Sequence, residues 1–254
     1  MECHTAKDGK PLAGGRAIAT PFGEYYSPNI TPDPGTGIGR WTEAEFAAAL
    51  RQGVAPDGSH YFPVFPYTSY TGMTDADVAD LWAYMKTLDP VQQVNKPHDT
   101  RPPFGARFLM GPWKLLHFDA QRWQPDPSQA ADVNRGSYLV KVLGHCGECH
   151  TPRGISGAAR ADRFLAGAKT GPTNDAPNIT PDPEAGIGSW SESEIADLLE
   201  SGMLPDGDFA GGEMASVIEH STSRLTDADR LAIARFLKSV SPLGPDERAS
   251  PAGR

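Results

Sequence analysis

Cys146, Cys149 and His150 stand in the run Cys146-Gly147-Glu148-Cys149-His150, a C-x-x-C-H pattern. Two thiols on one helical turn can each form a thioether to a vinyl group of a haem. The histidine that follows then lies under the iron as its proximal ligand. The pattern therefore predicts covalent attachment of a c-type haem. Near the start, Cys3, His4 and Thr5 repeat the end of the same run, Cys149-His150-Thr151. Met1-Glu2-Cys3-His4-Thr5 reads as the tail of a second C-x-x-C-H, whose first cysteine would stand just before Met1. On that reading the chain is a fragment, or a reading frame opened at an internal methionine. Its three cysteines are the sum of one whole motif and one clipped motif. A free structural Cys3 beside a chance histidine is the alternative. The expectation is two haem c groups, with Cys3, Cys146 and Cys149 as attachment points and His4 and His150 as iron ligands.

The elements that must position these residues come in two copies. Asn29-Ile30-Thr31-Pro32-Asp33-Pro34, with Gly37-Ile38-Gly39 and Trp41, recurs as Asn178-Ile179-Thr180-Pro181-Asp182-Pro183, with Gly186-Ile187-Gly188 and Trp190. Each copy then opens a helix with a capping box, Thr42 to Glu45 and Ser191 to Glu194. Apolar residues follow at helical spacing, Phe46 and Leu50 in one, Ile195, Leu198 and Leu199 in the other. Gly53 and Gly202 stop the two helices at matching places. A last helix follows in each copy. Thr74 caps one with the face Val78, Leu81, Trp82, Met85 and Leu88, and Thr226 caps one with Ile233, Phe236, Leu237 and Val240. A helix around 136–140 precedes the second motif, and its counterpart would lie upstream of Met1. The repeated block is offset by 149 positions and the Cys-His pair by 146, so the copies differ by a short indel.

This organisation predicts an N-terminally truncated first domain over residues 1–95 and a second domain over 131–242. The segment 96–130 between them, rich in proline and aromatics, is expected to pack across the domain boundary. A disordered tail is expected over 243–254.

An iron that only relays electrons has its second axial position filled, often by methionine, which raises the potential. Of the six methionines, Met1 stands at the start and Met85 lies on a packed helix face. Met110 lies between the domains, and Met203 follows a helix stop where the first copy has Val54. Met73 and Met214 remain as loop methionines, each ahead of the last helix of its own copy. Met214, in Gly211-Gly212-Glu213-Met214, is expected to ligate the second iron and Met73 the first. A methionine filling a gap in the core is the alternative for both. His60 is a second option for the first iron. His98, His117, His145 and His220 have no spacing argument and read as structural or solvated.

Composition bounds the rest. The 254 residues suit one large or two ordinary domains, and 24 prolines with 27 glycines make the chain loop-rich. The hydrophobic fraction of 39% is modest, as suits a domain whose haem supplies part of its core. A net charge of −9 argues against nucleic acid and anionic membrane as partners and suits docking to a basic patch. No run approaches a membrane span. No secretion signal is visible, which carries no weight in a chain read as starting inside a motif. Covalent haem attachment takes place outside the bacterial cytoplasm. The expected location is the periplasm, free or held at the membrane through a partner subunit.

Together these residues resemble the cytochrome c subunits of bacterial membrane-bound alcohol, gluconate and related sugar dehydrogenases. In that family each domain shows C-x-x-C-H-T, an N-I-T-P-D…G-I-G-x-W block and a methionine loop before its final helix. The resemblance runs over nearly the whole chain. It implies an all-α fold of two tandem class I cytochrome c domains, and it implies that Asn29, Asn178, Trp41 and Trp190 lie beside haem propionates. From the residues alone, a loop-capping asparagine and a core tryptophan explain them as well. Two departures stand out. The family usually carries three haems. Its first-domain loop reads Tyr-Pro-Ala-Met-Pro-Tyr, whereas this chain has Phe62-Pro63-Val64-Phe65-Pro66-Tyr67. Phe65 cannot bind iron, so the first haem uses Met73, uses His60 or stays five-coordinate.

The expected function is electron transfer from a periplasmic or membrane-bound dehydrogenase to a quinone, a cytochrome or a terminal oxidase, without catalytic residues of its own. The alternative is an oxidoreductase with an open first iron, peroxidase-like or oxidising a small anion. A zinc or thiol-redox module at Cys146 and Cys149 lacks the further ligand pair or βαβ context it would need.

Overall fold

The computed structural model describes residues 2–169 and 175–245, in two units, Met1–Trp123 and Gln124–Arg254. In the first, a 3₁₀ turn, Glu2–His4, carries Cys3 and His4. Strands β1 (Ala17–Thr20) and β2 (Gly23–Tyr26) form a tight antiparallel hairpin, with Ala17 opposite Tyr26 and Thr20 opposite Gly23. Helix α1 (Glu43–Gln52) opens with both halves of the Thr42–Glu45 capping box and stops at Gly53, whose φ of 62° is left-handed. Glycine reaches that region without a Cβ clash. A single turn, α2 (Tyr67–Tyr70), precedes α3 (Asp75–Met85), capped by Thr74. Helix α3 buries Val78, Trp82 and Met85, and the Trp82 ring packs on Phe46 of α1 at 5.0 Å between centroids. Leu88, expected on this helix, lies beyond its end.

The stretch after α3 divides between the two units. Through Trp123 it belongs to the first. Strand β3 (Asp99–Thr100) pairs with β2, and His98 Nδ1 accepts from Tyr26 N at 3.1 Å. Helix α4 (Met110–His117) brings Lys114 onto the carbonyls of Gln52 and Gly53. Arg122 donates to Thr71 O and Trp123 N to Gly72 O. The expected interdomain segment of 96–130 is therefore largely a covering of the first unit, because its polar groups find their partners there.

In the second unit, α5 (Ala131–Tyr138) continues as a π turn over Leu139–Leu143. Helix α6 (Gly147–His150) carries the C-x-x-C-H run. Strands β4 (Ala168–Lys169) and β5 (Asp175–Ala176) pair antiparallel. Helix α7 (Glu192–Ser201) has the Ser191–Glu194 capping box and stops at Gly202, φ 84°. Helices α8 (Gly212–His220) and α9 (Asp227–Ser239), the latter capped by Thr226, complete the unit. Helix α5 crosses α9 at Gly136, where a Cβ would sit 1.9 Å from Ala232 O. Leu139, Val140, Leu165, Ile195, Leu199, Ile233, Phe236 and Leu237 form the core.

The architecture is mostly helical, as expected, with two small sheets that the apolar spacing did not reveal. The expected disordered tail needs correction at its start. Leu243 N donates to Thr180 Oγ1 and Leu243 O accepts from Asn178, so the chain is held there by the repeated block. Residues 246–254 of that tail lie outside the described residues. No helix among the described residues is long and apolar enough to cross a membrane.

Candidate haem sites

Each unit builds the same cradle around its Cys-His pair. His4 Nδ1 donates to Pro28 O at 2.9 Å, and His150 Nδ1 donates to Pro177 O at 2.8 Å. A carbonyl can only accept, so the proton sits on Nδ1 and the Nε2 lone pair is left for a metal. Burial holds both imidazoles below the usual histidine pKa, with the proline carbonyl opposing it, which favours the neutral ring a metal needs. The supporting bonds match in register. Gly14 N donates to His4 O and Gly167 N to His150 O. Leu12 N bonds Thr5 Oγ1 and Leu165 N bonds Thr151 Oγ1. Ile30 N reaches Leu12 O and Ile179 N reaches Leu165 O. Gly14 and Gly167 are left-handed, and a Cβ there would come within 2.5 Å of Pro28 C and 2.8 Å of Asn178 N respectively. Only glycine lets the proline-bearing strand approach this closely.

Matching positions also resolve the indel. Thr5 to Leu12 spans seven positions and Thr151 to Leu165 fourteen, while Leu12 to Pro28 spans sixteen and Leu165 to Pro177 twelve. Two opposite length changes thus hide behind a net shift of three. The second unit inserts a turn closed by an Arg153–Ala159 bridge, and the first uses its longer spacing for the β1–β2 hairpin.

Asn29 and Asn178 clamp loops. Asn29 Nδ2 donates to Val91 O at 2.7 Å and to Thr36 Oγ1 at 3.0 Å, and its Oδ1 accepts from Thr31 N and Oγ1. Asn178 Nδ2 donates to Leu243 O at 2.6 Å and Oδ1 accepts from Thr180 N and Oγ1. Both carboxamides thus tie the repeated block to the chain that follows the last helix. Trp190 packs against the second unit's core, as Cys146 and Met214 do, and Trp41 is half-buried. Lys238 Nζ holds the carbonyls of Gly188 and Trp190 at 2.7 and 2.8 Å. Its counterpart Lys86 lies instead over the Trp82 ring.

The opposite faces differ. Val54 bridges to His60 in the first unit and Met203 to Phe209 in the second, and Tyr61 N and Ala210 N bond Gly53 O and Gly202 O. Counting on from these pairs, Phe65 occupies the position of Met214. Met214, expected in a loop, stands instead in the first turn of α8, half-buried on the core that also holds Cys146. Phe65 instead joins a ring cluster with Tyr61 at 5.5 Å and Tyr70 at 5.9 Å. Met73 comes from another place, directly before the Thr74 cap, where the second unit has Leu225. It is 3% exposed, and the buried Arg51 donates to its carbonyl at 2.9 Å. In the second unit Arg230, from α9, donates to Leu225 O. His60 turns to α4, with Nδ1 3.1 Å from Lys114 Nζ and Nε2 against Gly111.

The residues present fit covalently held haem. Cys146 and Cys149 share one turn yet remain separate thiols, Cys149 exposed and Cys146 packed on the core. Burial pushes the Cys146 thiol up to about 11, the reverse of the lowered value a dithiol redox motif uses. Cys3 is exposed and outside any disulfide, one residue from His4. Pro28, Pro177, Gly14, Gly167, Leu12 and Leu165 were missed as site-builders. A repeated Leu-Ala-Gly, at 12–14 and 165–167, is the signal that could have found them.

The cytochrome c family model matches residues 1–89 and 133–241. A dihaem cytochrome c-type protein of Cereibacter sphaeroides is 47% identical over 247 residues, covering 94% of this chain and 80% of the relative. The cytochrome c subunit of alcohol dehydrogenase (quinone) from Gluconacetobacter polyoxogenes is 42% identical, over 97% of this chain and 54% of its own length. The fructose dehydrogenase cytochrome subunit of Gluconobacter japonicus is 44% identical, over 94% and 49%. The chain thus spans about half the length of these dehydrogenase subunits. With one histidine–proline cradle in each unit and a family match over both, the chain belongs to the cytochrome c family as a dihaem member with two haem c sites.

Proposed function

We propose that this chain is a periplasmic electron carrier that accepts electrons from a dehydrogenase and passes them toward the respiratory chain, to a cytochrome, a quinone or an oxidase. The observation that carries the reading is the duplicated cradle, the same histidine–proline geometry in both units of one chain. Similarity over nearly the full chain to cytochrome subunits of alcohol and fructose dehydrogenases supports a dehydrogenase as donor. Each haem, when bound, takes up and gives back a single electron. The chain's residues do the rest. Cys146, Cys149 and Cys3 anchor, and His150 and His4 present Nε2. Met214 serves as second ligand in the second unit and Met73 in the first, with Arg51 fixing the Met73 backbone.

Visible spectra of the haem-matured protein, with carbon monoxide added after reduction, test this. Low-spin spectra, a Met–iron charge-transfer band that falls in Met73→Ala and in Met214→Ala, and no carbon monoxide uptake by the wild type are expected. Phe65 at the position of Met214 favours one second reading, an oxidoreductase with an open first iron. Carbon monoxide uptake by one wild-type haem would put that reading first.

A further inference from the structure

The first unit shows what covers the loop at the C-terminal end of α1. Lys114 Nζ donates to Gln52 O at 2.6 Å and Gly53 O at 2.8 Å, 4.6 Å from the Tyr67 ring. Arg107 donates to Ser59 Oγ at 2.7 Å and lies over the Tyr61 ring. Two cations on a short, largely apolar helical segment thus close this face. The second unit repeats the loop backbone, with Gly202 and the Met203–Phe209 bridge in place of Gly53 and the Val54–His60 bridge.

There the apolar side chains stand open. Phe209 is 62% exposed, Met203 44% and Val217 39%. A shallow depression runs beside them, lined by Glu194, Asp197, Met203, Leu204, Pro205 and Gly207. The charge is one-sided. From Asp175 to Ser223 the chain has eleven carboxylates and no lysine or arginine; Glu192 and Glu200 pair with Arg235 and Arg230 of α9, and the matching stretch Tyr26 to Thr71 has four carboxylates and two arginines.

We infer that this face of the second unit docks a partner protein that presents lysine or arginine around an apolar centre, in the chemistry that α4 and its preceding turn supply within the first unit. The inference rests on the electron-carrier reading, since the face adjoins the Met214 helix. An apolar centre with a rim of one charge gives fast, salt-sensitive encounter with a complementary partner and quick release, which suits electron exchange.

The test is stopped-flow electron exchange between the haem-loaded protein and a small lysine-rimmed cytochrome c, against ionic strength. Asp197→Lys with Glu213→Lys reverses two exposed carboxylates, one lining the depression and one on α8. Asp80→Lys with Asp119→Lys makes the same charge change on the first unit. The face variant is expected to slow association roughly tenfold at low salt and the control less than about twofold. Phe209→Ser should weaken association while leaving its salt dependence unchanged. Equal slowing by both charge variants, or no slowing by either, overturns the docking face. So does self-association of the wild type that Phe209→Ser abolishes, because the occupant would then be a second copy. Exchange with small inorganic redox reagents separates the two readings. If it fails, the carrier reading fails, and if it persists while the face variants are silent, only the docking inference fails.

Discussion

The two units solve one problem with the same backbone and different side chains. Around the Cys-His pair the His–Pro, Gly–His, Leu–Thr and Ile–Leu bonds recur in register, as do left-handed Leu12 and Leu165 at φ 60° and 64°. Away from it, the carbonyl before the last helix is held by Arg51 from α1 in the first unit and by Arg230 from α9 in the second. The positions are exchanged. Where the first unit has Arg51 and Val78, the second has Glu200 and Arg230, and Arg230 pairs with both Glu200 and Asp227. The carbonyl's need for a donor persists, while the helix that meets it does not. The haem-facing backbone admits one geometry, and the buried arginine that meets the carbonyl can come from either helix.

Gly136→Ala probes a crossing that, among the described residues, only the second unit makes. With a Cβ 1.9 Å from Ala232 O, α5 and α9 must separate, and the cost is expected to be about 4 kcal/mol. Hydrogen exchange should show this in α5 and α9 and leave α1 and α3 protected as before. A loss spread equally over both units would break the comparison.

The asparagine clamps come next. Asn29→Ala should cost about 3 kcal/mol and Asn178→Ala about 2, because Asn29 holds more partners that would be left buried and unpaired. Urea unfolding of each variant gives the order, and the reverse order would contradict it.

The exchanged arginines offer a graft. Arg51→Glu should cost about 2 kcal/mol, mainly by leaving the buried Met73 O without its donor, since the Asp75 partner is exposed. Adding Val78→Arg copies the second unit's arrangement and should restore roughly half of it, as a double-mutant cycle would read. No recovery would mean that the two solutions are not equivalent.

The smallest effect is a pH dependence confined to the first unit. Burial lowers Lys114 from 10.5 to about 8. Between those values the unfolded chain binds the proton that the folded one has released, so the Lys114 contribution to stability rises as pH climbs from about 8 toward 10.5. Wild type should gain on Lys114→Met across that window, with the gain read in α1 and α4 by hydrogen exchange and none in α7.

The haem-binding residues were legible because their chemistry demands adjacency. Two thiols and a histidine must share one turn, so Cys146, Cys149 and His150 are readable in a row. Capping boxes and glycine stops were legible for the same reason, since they act within four residues. Pro28 and Pro177 were not, because a carbonyl lends itself to a histidine 24 or 27 residues away and any residue type has one. The two small sheets escaped because strands of two to four residues leave too little alternation to read.

By itself, then, the sequence determined two haem-binding copies, their helices and their caps, all from patterns held by neighbours along the chain. Only the tertiary structure decided that 96–123 covers the first unit, that Phe65 stands in the place of Met214, and that the indel is two opposite changes. It also decided that the second unit's acidic, apolar loop stands open where the first unit's is closed. Each of these depends on which distant groups meet once the core has formed. Spacing along a chain carries no record of hydrogen bonds made across it.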